Sequence, residues 1–198
     1  LAPFLAEAAL AALLSLAVGL PRFAEQQRAR TWRPHRFAPV AGRTLLIVGV
    51  GHVGGALAER ASALGLHVIG VRPDGAPHPA VASMHRPAEL VDLLPQADVV
   101  SLHVRLGPET VGLLGEEEIA RMRRGALLLN SSRGPVLDEV ALLAALRDGR
   151  LGGAWLDVFD REPLPADSPL WTAPNLLITP HCADQVDDFP RRFAARFC

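Results

Sequence analysis

The sequence predicts an α/β protein built on a doubly wound parallel sheet. From residue 43 onward, short apolar runs alternate with segments of helical periodicity, the pattern of strands joined by crossover helices. Some of these runs are apolar throughout, as expected of parallel strands that are covered on both faces. A glycine-rich turn at residues 49–54 joins the first run to the first helical segment. These observations indicate one sheet of six or seven parallel strands.

The predicted elements follow one another in a regular order. Residues 1–20 predict a helix rich in alanine and leucine, and residues 21–42, with their prolines, predict a connecting arm. The predicted strands cover residues 44–50, 67–71, 81–84, 98–104, 126–130, 153–158 and 176–178. The remaining predicted helices cover residues 53–64, 87–94, 115–122 and 138–147.

The turn Gly49-Val50-Gly51-His52-Val53-Gly54 predicts a dinucleotide-binding site. It follows a strand and opens a helix, which is the setting in which this glycine spacing binds a pyrophosphate. Gly49 would allow the tight turn, Gly51 would let the backbone approach the phosphates, and Gly54 would let helix and strand pack closely. The free N–H groups of the helix N-terminus would face the phosphates. The alternative is a plain glycine-rich turn, which the strand-turn-helix context disfavours.

Charge and composition narrow the chemistry. The 198 residues carry a formal net charge of −1, a balance that favours a small-molecule ligand over nucleic acid or an anionic membrane. The sequence contains no lysine and no tyrosine, so all 20 basic residues are arginine. This excludes Schiff-base catalysis by lysine, a Walker-type phosphate loop and a catalytic tyrosine-lysine pair. Histidine is the first candidate for proton transfer near neutral pH.

The cysteines and the apolar N-terminus bear on the compartment. Cys182 and Cys198 are too few and too close to the C-terminus for a disulfide framework, which favours the reducing cytoplasm. The apolar residues 1–20 lack a basic flank, and their uninterrupted part, 8–20, is shorter than the roughly 20 residues of a membrane-spanning helix. A helix packed within the protein is therefore expected, rather than a signal peptide or an anchor. Because the chain begins with leucine, a fragment or a processed product is also an open interpretation.

Three polar residues follow strands at the carboxyl edge of the predicted sheet, where ligands bind in such folds. They are Arg133, Glu162 and His181. Arginine suits the binding of a carboxylate and the polarisation of a keto group, and histidine suits proton donation when a carboxylate favours its charged form. Taken singly, each residue has a structural alternative: a capping arginine, a solvated charge or a hydrogen-bonded turn residue. Together they predict a site for hydride transfer to a small keto acid.

Five blocks of the sequence, in order, resemble the D-isomer-specific 2-hydroxyacid dehydrogenases. The resemblance runs from about Leu1 to His181 and implies a Rossmann-like cofactor domain. It also implies NAD(P)H-linked interconversion of a small 2-keto acid, such as glyoxylate or hydroxypyruvate, and a D-2-hydroxy acid. The matching blocks are the glycine turn, Ala97–Val104, Asn130–Gly134, Leu156–Phe159 with Glu162–Leu164, and Thr179–His181.

The resemblance further implies the role of individual residues. Arg133 would bind and polarise the substrate, His181 would be the acid-base, and Glu162 would orient and charge that histidine. Asp157 would lie beside the nicotinamide carboxamide, and the backbone of Ser131-Ser132 would border the ring. The cofactor residues implied in this way are Gly49, Gly51, His52, Val53, Gly54, His103, Ser132 and Asp157.

The choice of cofactor depends on the end of the second predicted strand. Arg72 lies 18 residues beyond Gly54, near the position at which an acidic residue accepts the ribose hydroxyls of NAD. An arginine there would attract a 2′-phosphate, so the sequence favours NADP. The alternative is a solvated Arg72 with Asp74 turned toward the ribose.

The resemblance is incomplete at both ends of the chain. Family members build most of their substrate domain from a segment that precedes the counterpart of residues 1–20, and this segment is missing from the sequence. We therefore predict an N-terminal helix and arm (1–42), a dinucleotide-binding domain (43–181) and a remnant of the substrate domain (182–198). Two other functions stay open: a dinucleotide-sensing protein like the corepressors of the same superfamily, and a truncated cofactor-binding fragment without turnover. A homodimer is expected, because the corresponding helix lies at a dimer interface in the family.

Overall fold

Seven parallel strands form one sheet in the computed structural model, which describes residues 1–37 and 39–187. The spatial order is β3-β2-β1-β4-β5-β6-β7, so the winding reverses between β1 and β4. The predicted doubly wound α/β fold is confirmed. The strands are β1 (Thr44–Val48), β2 (His67–Val71), β3 (Ser83–His85), β4 (Val99–Leu102), β5 (Leu127–Asn130), β6 (Gly153–Leu156) and β7 (Leu176–Ile178).

Helices cover both faces of this sheet. Alternate side chains of β1 belong to two different hydrophobic clusters, Leu45 and Ile47 to one and Leu46 and Val48 to the other, because successive strand residues point to opposite faces. The α-helices are α1 (Ala2–Val18), α2 (Leu20–Arg28), α3 (His52–Ala63), α4 (Leu90–Leu93), α5 (Glu116–Arg121) and α6 (Glu139–Arg147). Short 3-10 helices cover Pro87–Glu89, Leu94–Gln96, Gly134–Val136 and Pro169–Thr172.

Helix α1 belongs to the core of the sheet, as the sequence predicts. Ala6, Ala9 and Leu13 are completely buried and share one helical face, which packs against α3 and the sheet. At the surface, the Glu7 carboxylate lies 3.5 Å from the Arg60 guanidinium of α3. The apolar N-terminal sequence therefore finds its partner within the chain.

The predicted arm over residues 21–42 is wrong in its first part, because the chain continues as α2. Gly19 has a φ of 80°, so this one left-handed residue ends α1 and precedes α2. Pro21 lies in the first turn of α2, where its missing N–H breaks no intrahelical hydrogen bond. Pro21 therefore starts a helix and does not belong to a loop. The described residues between Arg28 and Thr44 contain no helix or strand.

Several predicted strands are longer than the observed ones at the carboxyl edge, and the third strand begins at residue 83 rather than at the predicted residue 81. The strands predicted over 44–50, 98–104 and 153–158 end at residues 48, 102 and 156, because the residues beyond them form loops at the carboxyl edge. The helix predicted over 87–94 is a 3-10 turn, a single α turn and a second 3-10 turn that contains Pro95. Residues 188–198, which include Cys198 and most of the predicted substrate-domain remnant, lie outside the described residues. The domain boundaries stay a prediction.

No single described helix is both long and apolar enough to cross a membrane. Helices α1 and α2 together reach that length and hydropathy, but the chain bends by 64° between them.

The burial of α1 predicts how much it contributes to stability. We expect Leu13→Ala to lower the free energy of unfolding by about 2–5 kcal/mol, because it leaves a cavity in a completely buried position. The matched control is Leu20→Ala, whose side chain is 52% exposed and whose loss should change stability by less than about 0.5 kcal/mol. Urea unfolding measures both, and equal effects would contradict the docking of α1.

Candidate functional site

The three glycines of the turn after β1 meet different surroundings. Gly49 has a φ of 101°, and a Cβ there would lie 2.5 Å from the His103 carbonyl oxygen. A Cβ on Gly54 would overlap the Gly49 carbonyl oxygen. Gly51, by contrast, has nothing within 4 Å of its Cβ position, and no side chain caps the N-terminus of α3, where it stands. Two glycines thus serve the chain's own packing, and the third leaves room beside free helix N–H groups for an anion.

The segment after β4 packs against this turn. His103 Nε2 lies 2.8 Å from Ser101 Oγ, and desolvation by burial lowers the pKa of His103 to about 4. The imidazole is therefore neutral near pH 7, which suits a positioning or packing role better than acid-base chemistry. Val53 is half-buried on the first turn of α3, and His52 is exposed.

A cavity of about 420 Å³ joins the start of α3 to the segments that follow β4 and β5. Its wall includes Val53, His103, Ser132 and Arg133, which the sequence assigned to one site. Leu5 of α1 also lines it, a contribution that the sequence analysis missed because the periodicity of a helix does not show which pocket it borders.

Glu162 and His181 form the predicted pair. Glu162 follows β6, His181 follows β7, and the histidine Nδ1 lies 2.7 Å from the glutamate Oε2. The other glutamate oxygen accepts a 2.9 Å hydrogen bond from the Phe159 N–H, which fixes the carboxylate. His181 has a φ of 50°, a left-handed conformation that costs free energy for a residue with a Cβ and that recurs at functional sites.

The electrostatics of this pair favour an ionised glutamate. Partial burial alone would raise the pKa of Glu162. The hydrogen bonds from His181 and the Phe159 N–H, with the charges of His181 and Arg133, outweigh burial and hold this pKa below its usual value. The side chains of His181 and Glu162 are 46% and 35% exposed. The pair therefore lies at the carboxyl edge of the sheet, the rim of the site, where it is open to solvent.

Arg133 lies on a turn that a buried asparagine holds. The Oδ1 of Asn130 accepts hydrogen bonds from the N–H and the hydroxyl of Ser132, at 3.0 and 2.7 Å, and its amide donates to the Arg133 carbonyl. The Arg133 guanidinium donates to the Ser132 carbonyl at 2.6 Å and keeps its other donors. A Cβ on Gly134 would overlap the Phe159 backbone, so the arginine turn and the glutamate loop touch. The sequence analysis placed Asn130 in the block that contains Arg133 but gave it no role, although a polar residue that ends an apolar strand was a usable signal.

Asp157 anchors the segment that carries the histidine. It is 2% exposed, and its Oδ1 accepts hydrogen bonds from the Thr179 hydroxyl at 2.5 Å and the Cys182 N–H at 3.0 Å. Its Oδ2 accepts from the Ala183 N–H at 3.1 Å. Thr179 also accepts from the Trp155 indole N–H at 3.0 Å. The sequence suggested only a contact with the cofactor for Asp157, and its partners on the chain could not be predicted without the fold.

Arg72 and Asp74, the two alternatives for the ribose, are paired with each other. Arg72 Nε lies 2.6 Å from one Asp74 oxygen, and Nη2 lies 3.1 Å from the other. The Ala76 N–H donates to the same carboxylate at 3.0 Å. That hydrogen bond and the Arg72 charge hold the pKa of Asp74 below its usual value, against partial desolvation. The side chains of Arg72 and Asp74 therefore form one ion pair, and a ribose or phosphate beside either residue would meet both.

The geometry is that of a dinucleotide-binding domain with a hydrogen-bonded histidine-glutamate pair at the carboxyl edge of its sheet. Residues 10–183 match the family model described as "D-isomer specific 2-hydroxyacid dehydrogenase, NAD binding domain". The chain belongs to this family of 2-hydroxyacid dehydrogenases.

Known proteins resemble the chain over much of its length. A glyoxylate reductase of Korarchaeum cryptofilum is 42% identical over 158 residues, which are 78% of this chain and 47% of that protein. A family member from Aeromonas salmonicida superposes with a TM-score of 0.90 at 40% identity, over 99% of this chain and 63% of that one. A D-isomer specific 2-hydroxyacid dehydrogenase from Xanthobacter autotrophicus, in complex with NADPH and MES, superposes with a TM-score of 0.85 at 37% identity. The match covers 91% of this chain and 57% of that one. The chain thus spans about half the length of the curated relative.

Two glycines of the turn should respond differently to the same substitution. Gly51→Ala should leave stability within about 0.5 kcal/mol, because its Cβ enters open space, but should weaken cofactor binding about tenfold by blocking the backbone. Gly54→Ala should cost about 1–3 kcal/mol of stability, because its Cβ overlaps backbone. Thermal unfolding and NADPH fluorescence titration separate the two effects. Unchanged affinity in Gly51→Ala would count against phosphate binding at this turn.

The hydrogen-bonded pair of His181 and Glu162 makes a prediction about titration. His181→Ala should raise the pKa of Glu162 toward its ordinary value, because the histidine hydrogen bond and charge are lost. His85→Ala, which breaks a second histidine-glutamate pair among the described residues, should raise the pKa of Glu89 and leave the pKa of Glu162 unchanged. Carboxyl ¹³C NMR measures both.

A depressed pKa in the folded state also fixes the direction of the stability change. The pair stabilises the fold above the unfolded pKa of Glu162, and this contribution is lost as the pH falls through the lower, folded value. A folded pKa of Glu162 at or above its ordinary value would contradict the arrangement.

Proposed function

We propose that this chain carries the cofactor site and the acid-base machinery of an NAD(P)H-dependent reductase of small 2-keto acids, with glyoxylate and hydroxypyruvate as test substrates. The observation that carries the proposal is the 2.7 Å pair of His181 and Glu162 at the rim shared with Arg133. The glyoxylate reductase relative supports the choice of substrate class.

Different residues at the rim bind the cofactor, bind the substrate and donate the proton. The open backbone at Gly51 and the uncapped start of α3 fit a dinucleotide pyrophosphate, and the reduced cofactor, when bound, supplies the hydride. Arg133 binds the substrate carboxylate and polarises the keto oxygen through its remaining donors. His181 donates a proton from Nε2 to the developing alkoxide, while Glu162 holds Nδ1–H and stabilises the charged ring. Asp157 holds the histidine segment in place.

A second function is carried by one observation, the partial span of the chain. Because it covers 47% of the glyoxylate reductase, a cofactor-binding fragment without turnover is the competing proposal. The corepressor-like binding protein predicts the same biochemical result, cofactor binding without reduction.

We assign NADP as the preferred cofactor. Arg72 follows β2 and keeps donors beyond the two nitrogens that contact Asp74, and the structural neighbour bound to NADPH supports the preference. The cytoplasmic location expected from the two cysteines stays a prediction.

The acid-base assignment is tested by activity. We expect the chain to oxidise NADPH in the presence of glyoxylate or hydroxypyruvate, and His181→Ala to lower kcat by about 10²–10⁴. His67→Ala is the control, because it removes an exposed histidine at the start of β2, at the opposite, amino edge of the sheet. Turnover that survives His181→Ala would defeat the assignment, and cofactor binding without any turnover would favour the fragment or the sensor.

We propose a homodimer. The sequence analysis placed α1 at the dimer interface, but the structure favours another surface. Helix α1 buries its small residues within the chain, whereas Leu20 at the start of α2 and Trp32 and Phe37 after this helix are exposed apolar side chains. Trp32 is 96% exposed beside an apolar cavity of about 500 Å³ that Phe23 and Pro34 also line. Aromatic side chains of this kind are enriched in the cores of protein interfaces.

This surface predicts a concentration-dependent association. We expect sedimentation velocity to show dimers at micromolar concentration, and Trp32→Ala to raise the dissociation constant at least tenfold by losing an aromatic anchor. Trp171→Ala, which removes the other strongly exposed tryptophan, at 51%, is the control. A wild-type chain that stays monomeric at all concentrations would refute the dimer.

A further inference from the structure

Two arginines stand at adjacent strand ends near the predicted ribose position. Arg72 follows β2 and Arg86 follows β3, and the Arg72 N–H donates to the His85 carbonyl at 3.0 Å, which sets these strand ends side by side. The Arg86 side chain lies along the loop after β2. A Cβ on Gly75 would be 3.5 Å from its Cγ and 3.6 Å from its Nε. Arg86 therefore faces the loop that holds Arg72 and Asp74.

Among the described residues, Arg72 is paired with a carboxylate, whereas Arg86 is not. Arg72 gives two of its donor nitrogens to Asp74, so that pair is close to neutral. The Arg86 guanidinium, on an exposed residue, forms no ion pair or hydrogen bond within residues 1–37 and 39–187. Glu89 is near enough to feel the Arg86 charge, but its two oxygens accept hydrogen bonds from the Arg86 N–H at 2.8 Å and from His85 Nδ1 at 2.9 Å. Arg86 thus keeps all the donors of its guanidinium for a ligand, as far as the described residues show.

We propose that Arg86 is the residue that selects a 2′-phosphorylated adenosine ribose, with Asp74 holding Arg72 beside it. The inference rests on the proposed preference for NADP. A phosphate monoester carries about −1.5 to −2 charges near pH 7, so a neutral Arg72-Asp74 pair alone is a poor match for it. Arg86 adds the missing positive charge, and Arg72 contributes its remaining donors from a position that Asp74 fixes.

The test compares nucleotides that differ in the 2′-phosphate. Isothermal titration of the chain with 2′,5′-ADP and with 5′-AMP isolates this contact from hydride transfer and from substrate binding. Three variants accompany the wild type: Arg86→Ala, Arg86→Lys, and the control Arg124→Ala. Arg124 is another exposed arginine, without an ion pair among the described residues, that precedes β5 and thus lies at the opposite, amino edge of the sheet.

We expect Arg86→Ala to weaken 2′,5′-ADP binding about tenfold and to leave 5′-AMP binding within about twofold, because only the phosphate contact is lost. Arg86→Lys should recover part of the loss, since it keeps the charge but not the planar fork. Arg124→Ala should change neither affinity by more than about twofold.

The possible failures are distinguishable. If the wild type prefers 2′,5′-ADP but Arg86→Ala behaves like Arg124→Ala, Arg86 is not the selecting residue, and the NADP preference stands. If Arg86→Ala weakens both nucleotides equally, Arg86 supports the loop rather than reading the phosphate. If the wild type binds the two nucleotides equally, both the NADP preference and the role of Arg86 are wrong.

Discussion

The parallel pairing of β1 with β4 is the constraint on which the rest of the structure depends. At this pair the winding of the chain reverses, so the connections on either side turn to opposite faces and leave a crevice at the carboxyl edge. Gly49 and the His103 carbonyl approach each other across this pair too closely for a side chain between them. The position of the cofactor turn is therefore a result of strand pairing.

Two buried polar residues at the carboxyl edge of the sheet fix the segments that follow the strands. Asn130 holds the arginine turn and Asp157 holds the histidine segment, each through three hydrogen bonds, and both residues are almost fully buried. Burial removes water as a competing partner, so these bonds fix geometry better than exposed ones would. The exposed residues Arg133, Glu162 and His181 thus stand on rigid supports, although they face solvent.

The sequence predicted the sheet well, because apolar runs and glycine turns are local signals. It also brought Glu162 and His181 to one edge, since parallel strands share their carboxyl ends. Helix α2 was missed because proline is common both in loops and in the first turn of a helix, so Pro21 alone does not distinguish the two. The pairing of Arg72 with Asp74 and the partners of Asp157 were also beyond prediction, because they depend on side-chain contacts that no local pattern records.

The left-handed backbone of His181 carries a cost in stability at a residue that we propose to act in catalysis. A side chain in this conformation costs about 1 kcal/mol, which a glycine would not incur. A chain optimised only to fold would therefore exchange this histidine for glycine or asparagine. The hydrogen bonds that Thr179, Cys182 and Ala183 donate to Asp157 offset that cost, because they hold the chain on both sides of His181 in place.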